Sequence, residues 1–96
     1  MFVKTEGSKI TIEGNIAKFE DYDAIKLEVE EVRSRTNNSF TLVFRDAQSL
    51  ISALVGYLIK LKRVDNVNMT IIAQNPKLYT MMDTLALVDV LNVRKG

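Results

Sequence analysis

The chain has 96 residues, 47% of them apolar and 26% charged, with a net charge of +1, which is ordinary composition for one globular domain spanning 1–96. There is no large basic excess from which to build a nucleic-acid-binding face. The absence of histidine and cysteine removes the commonest general base, the commonest zinc ligand, thiol nucleophiles, zinc–thiolate sites and disulfides.

The first element is "KITIEGNI". Ile10, Ile12 and Ile16 alternate with Lys9, Thr11, Glu13 and Asn15, which predicts a strand with one buried face. Phe2 and Val3 suit a short strand before it, with Glu6–Ser8 as the tight turn of a hairpin. From Phe19 the apolar period becomes helical, through Tyr22, Ile25, Val29 and Val32. Asp21 is the expected N-cap, and Asp23 suits the positive end of the helix dipole. Lys26, Glu28, Glu30, Glu31 and Arg33 form a solvated face, with Lys26–Glu30 and Glu31–Arg35 as expected helical pairs. "RTNNS" breaks the helix, and "FTLVF" follows as a buried strand closed by Arg45 and Asp46. The next helix runs through "SLISALVGYLIKLK" to about Arg63, with Ser49 as its expected N-cap. "MTIIA" is a second buried strand, and Asn75–Pro76 is a helix start of N-cap followed by proline. Leu78, Met81 or Met82, and Leu85 give that helix its apolar stripe, and "VDVLNV" supplies a last short strand or turn.

Strands alternating with helices define an α/β fold, a mixed and largely parallel sheet of four or five strands with right-handed crossovers. Phe40–Phe44 and Met69–Ala73 should lie adjacent, parallel and central. The glycines at 7, 14, 56 and 96 form no phosphate-cradling loop. No apolar run reaches the ~18–20 residues of a membrane span, and "MFVKTEGSKI" lacks a signal peptide's apolar region, so a cytoplasmic location is expected. Lys60, Lys62 and Arg63 fit the negative end of a helix dipole, Met69, Met81 and Met82 fit core filling, and Asp21 and Asp23 fit capping. Ser52 has no histidine to activate it as a nucleophile. No enzyme activity, cofactor or metal is expected.

The second helix poses a separate question. At about 100° per residue, Leu54, Tyr57, Leu58 and Leu61 share one side, with Leu50 if the helix starts that early. The opposite side carries Ser52, Val55, Gly56, Ile59 and Arg63. Val55 and Ile59 are thus expected to point toward water, and Ser52 and Gly56 leave a shallow place where another chain can approach.

These segments, in this order, resemble the STAS domain, the fold of bacterial anti-sigma factor antagonists. "EGNIAKFEDYDAIKLEVEEV" resembles the family's strand, turn and first helix. "TLVFRDAQSLISALVGYLIKL" resembles its next strand, loop and second helix. "MTIIAQNPKLYTMMDTLALVDVLNV" resembles its following strand, Asn-Pro helix start, helix and closing segment. In that family the second helix opens with an Asp-Ser pair followed by Gly-Leu-Gly, and a partner kinase phosphorylates the serine. The matching stretch here is Ile51–Gly56. Ser52 falls at the serine and Gly56 at the second glycine. Val55 replaces the leucine, Ile51 stands where the acid belongs, and Leu54 where the first glycine belongs. Ala86 sits where the family often ends a helix with glycine, so a different turn is expected there.

The resemblance implies a non-enzymatic protein-interaction module. It would bind an anti-sigma factor kinase through Ser52, Val55, Gly56, Ile59 and Arg63, with Ser52 as the phosphorylation candidate. One alternative is a STAS-like subunit of a larger complex such as a lipid-transport ATPase, which the missing acid at position 51 favours. A second is a small-ligand or nucleotide sensor, with its ligand at the carboxyl ends of the parallel strands.

Overall fold

A computed structural model describes residues 1–96. The elements in chain order are β1 (Phe2–Glu6), β2 (Lys9–Glu13), α1 (Phe19–Arg35), β3 (Ser39–Phe44), α2 (Ser52–Arg63), β4 (Asn68–Ala73), α3 (Pro76–Thr84) and β5 (Val93–Lys95). They form one five-stranded sheet in the order β1-β2-β3-β4-β5. β1 runs antiparallel to β2, and the other neighbours are parallel. The expected hairpin is present: Gly7, at φ +61°, occupies the first turn position, where a side chain would be strained. β3 and β4 pair over their whole length, from Ser39–Asn68 to Phe44–Ala73, inside the sheet as expected.

Each crossover steps one strand onward in the same direction. Right-handed connections then place α1, α2 and α3 side by side on a single face of the sheet. Burial agrees. Ile10, Ile12, Phe40, Leu42, Phe44, Met69, Ile71 and Val93 share one core with Ile25, Val29 and Val32 of α1, Leu54, Leu58 and Leu61 of α2, and Leu78 and Met82 of α3. Val43 is also buried but lies outside that core, on the other face. No element covers that side. By register it presents Glu6, Lys9, Thr41 and Thr70 in one row and Lys4, Thr11, Val43, Ile72 and Arg94 in the next. The two strands expected to be buried are therefore covered on one face of the sheet only. β4 alternates between buried and half-exposed positions, and the second face of the sheet is left to water.

Helix ends needed several corrections. α1 begins at Phe19, and its N-cap is Lys18 rather than Asp21. Asp21 sits in the first turn and reaches back: its carboxylate accepts from the N–H groups of Ala17 (3.0 Å) and Lys18 (3.1 Å). Those bonds, from Ala17 first, hold its pKa below the usual carboxylate value. Neither expected helical ion pair forms. Arg33 instead pairs with Glu30 at 2.7 Å, and the Lys26 ammonium sits 5.5 Å from the centre of the Tyr57 ring. On α3, Leu78 and Met82 are buried and Met81 is half-buried, but Leu85 is half exposed because the helix has ended there.

Beyond α3 the chain turns through Ala86 at φ +58°. The Ala86 N–H donates to Asp83 O and the Leu87 N–H to Met82 O, both at 2.9 Å. That is the double bond pattern which ends helices on a left-handed residue, normally glycine, with buried Leu87 and Met82 as its apolar contact. The expectation of a different turn is thus wrong: the left-handed turn is kept and alanine occupies it. Replacing Ala86 with glycine should remove the Cβ strain and stabilise the domain by about 1 kcal/mol, a rise in Tm of about 4–8 °C. A melting curve for Ala86→Gly that is unchanged or lower would show the turn to be unstrained.

Candidate functional site

The chain leaves β3 through Arg45–Ile51 before α2 begins. Ala47 and Leu50 tuck into the core on the way and fix where the helix starts. Ile51 is the N-cap residue, in extended conformation, with no side-chain hydrogen bond to the helix. Ser49, expected to cap it, lies before that residue and makes no capping bond. The N–H groups of Leu54 (3.0 Å) and Val55 (3.2 Å) both bond to the Ile51 carbonyl, which leaves those of Ser52 and Ala53 without a protein acceptor. The first turn holds no acid. α1 opens in the same way, since Asp21 accepts from Ala17 and Lys18 ahead of the helix and the Phe19 and Glu20 amides meet no protein acceptor. α3 differs: it starts with Pro76, which has no N–H, and the Asn75 side chain accepts from the Lys77 N–H at 2.9 Å.

The core stripe of α2 lies as expected, with Leu54, Tyr57, Leu58 and Leu61 buried. The other side needs adjustment. Ser52, Gly56 and Arg63 are exposed, while Val55 and Ile59 are half-buried and pack against the edge of the core. They form a rim and do not point straight into water. Gly56 is open, and a Cβ built there would meet nothing within 4 Å. No close approach inside this domain requires glycine at that position. Arg63 shares the stripe but lies eleven residues beyond Ser52, about 16 Å along the axis, so it joins the serine only across a broad contact.

The flank of α2 toward α1 carries a polar and aromatic network that sequence reasoning missed. The Tyr57 hydroxyl donates to the Glu30 carboxylate, Arg33 bonds Glu30 and Asn38 Oδ1 (2.8 Å), and Asp65 receives Arg33 (3.4 Å) and Lys60 (3.2 Å). Burial, with Glu30 beside it, pushes the Tyr57 pKa well above its usual value. Phe19 meets Tyr22 at a tilt of 60° (5.2 Å) and Tyr22 meets Tyr57 edge-on (6.1 Å). Spacing alone could have flagged Glu30 and Arg33 as a helical pair, but their tie to Tyr57 depends on how α1 and α2 pack.

A ligand at the strand ends fares less well. Sheets of this class bind ligands where the strand order reverses, and here it never does. The depression at the carboxyl ends of β4 and β5, lined by Gln74, Tyr79, Thr80 and Lys95, is about 250 Å³, and the Lys95 ammonium already sits 5.0 Å from the centre of the Tyr79 ring. No helix is long and apolar enough to cross a membrane. No family model, curated protein or solved structure matches the chain.

Proposed function

We propose that the chain is a non-enzymatic protein-interaction module that resembles the STAS-type anti-sigma factor antagonists and meets its partner at the start of α2. The observation that carries this reading is the exposed Ser52 on a first turn with two amides lacking acceptors, one turn from a glycine the fold does not require. A partner backbone can approach over Gly56, and the rim of Val55 and Ile59 supplies apolar contact beside it. Arg63 marks the far end of the same stripe. A phosphate on Ser52 would sit near the free amides and the positive end of the helix dipole, so the fold tolerates it. It would also bring about −1.5 to −2 charge against the apolar rim, which a bound partner would have to bury. Phosphorylation then acts as an off-switch for binding. By the same analogy the partner is an anti-sigma factor kinase, and the compartment is the cytoplasm.

Ile51 in place of the family's acid supports a second reading, a STAS-like subunit of a larger assembly such as a lipid-transport ATPase, with the same α2 surface in permanent contact. Two variants test the surface against a purified partner of either kind. Ser52→Glu should weaken binding at least about tenfold while leaving the melt unchanged. Gly56→Ala should stabilise the domain by about 0.5–1 kcal/mol, as glycine removal from a helix interior does, and still weaken binding. Binding by both variants equal to that of the unmodified chain would remove α2 from the interface. Incubation with the kinase and ATP, read by intact mass, separates the readings, since an unchanged mass rules out the phosphorylation switch and leaves the permanent subunit.

A further inference from the structure

The edge of the sheet at β1 carries a second contact surface. Two-residue turns close on a hydrogen-bonded pair, here Glu6–Lys9, so Phe2, Lys4 and Glu6 direct their backbone N–H and C=O groups toward β2. The far side of β2 agrees, because the carbonyls of Ser8 and Ile12 accept from Thr41 (2.8 Å) and Arg45 (3.0 Å) of the β3 side, which leaves Lys9, Thr11 and Glu13 for β1. Val3 and Thr5 therefore turn their backbone groups outward, with no strand beyond them. The edge has no proline and no bulge. Phe2 is 60% exposed beside it.

We infer that β1 pairs antiparallel with β1 of a second copy of this chain, about a two-fold axis through Val3. The axis can pass between facing residues with outward backbone groups, Val3 or Thr5, or between facing residues with inward ones. Of the latter, Lys4 on the axis would set two ammoniums directly opposite each other, and Phe2 on the axis would leave only Met1 and Val3 to bond. An axis at Thr5 runs the pairing into the turn at Gly7, whereas an axis at Val3 keeps it on extended chain, with Met1 continuing the strand beside Gly14. Lysine on an edge strand ordinarily discourages such pairing. In this register Lys4 never faces Lys4. It lies opposite Phe2 of the other copy, twice over by symmetry, on the uncovered face of the sheet, where an ammonium over an exposed ring is attractive. Val3 faces Val3 on the helix side, where each already packs on its own core. The contact is isologous and closes at two chains. It uses none of the α2 surface and stands independently of the function proposed for it.

Sedimentation equilibrium and amide exchange on the full chain, at about 1 mM and after tenfold dilution, test the pairing by mass action. The expected mass approaches twice that of one chain at the higher concentration. The Val3 and Thr5 amides should be protected there and exchange freely on dilution, while those of Lys4 and Glu6 stay protected at both. Phe2→Ser alters an exposed side chain and should raise the dissociation constant about fivefold to tenfold. Val3→Pro removes an outward N–H, which an edge strand tolerates, and should abolish association with the helical circular dichroism intact. A chain that stays monomeric at the higher concentration, a dimer that Phe2→Ser leaves unchanged, or Val3 and Thr5 amides insensitive to dilution would each overturn the inference.

Discussion

Leu58→Asp should abolish the cooperative melt of this domain. Leu58 is fully buried on the core stripe of α2, in the same apolar core as Leu42 and Ile71 of the sheet. An aspartate there has no cation or hydrogen-bond donor to meet it, and isolated buried charge costs several kcal/mol on top of the lost packing. A domain of this size is stable by only about 5–15 kcal/mol, so the penalty takes most of what there is. The informative control is Val55→Asp, three residues earlier on the same helix. Val55 is half-buried on the rim, and a carboxylate there reaches water by rotating outward. Its expected cost is about 1–2 kcal/mol, a lowered melt that remains cooperative. Circular dichroism melts of the two variants decide the matter. Equal damage from both would mean that α2 is turned about its axis relative to the arrangement described here.

That contrast also separates what is legible in the sequence from what packing decides. The core stripe of α2 follows from a period that only one helical face satisfies. The parallel pairing of Phe40–Phe44 with Met69–Ala73 follows from a helix between two apolar strands. The start of α3 was legible because Asn75 and Pro76 act locally, one accepting an amide hydrogen and the other having none to lose. Properties set by distant packing were not legible. Thr41, Thr70 and Arg94 are polar because no layer follows on their side of the sheet, yet within "FTLVF" and "MTIIA" the apolar residues outnumber them and conceal the alternation. Asp21 caps from inside the helix, so a search for a capping residue ahead of the first turn picks the right side chain and the wrong role. The half-burial of Val55 and Ile59 depends on how closely the core rises around α2. At Ala86, composition pointed away from a left-handed turn, and the hydrogen bonds of Leu87 and Ala86 impose one.

The link between α1 and α2 should be the most acid-sensitive contact in the protein. Glu30 accepts from the Tyr57 hydroxyl and from Arg33, whose side chain is only 18% exposed. Removing the carboxylate in Glu30→Ala leaves a largely buried phenol without an acceptor and the guanidinium with only Asn38 and Asp65. Orphaning such groups costs about 1–3 kcal/mol, and a domain this small loses about 4–8 °C of Tm per kcal/mol. The pH dependence has a definite sign. Partial burial pushes the Glu30 carboxyl upward, but the hydrogen bonds from Tyr57 and Arg33 outweigh it, and its pKa lies below the ordinary carboxylate value. A carboxylate held low in the folded state contributes stability that is complete above its unfolded pKa and disappears as pH falls through the folded one. The domain should therefore weaken between about pH 5 and pH 3, within the usual carboxylate range. Glu30→Gln keeps an acceptor for the phenol but cannot titrate, so its melting temperature should fall less steeply over that interval. Asp21, also held low, leaves some acid dependence in the variant. If the gap in melting temperature between Glu30→Gln and the unmodified chain is as wide at pH 3 as at pH 7, the carboxylate does not carry this stability.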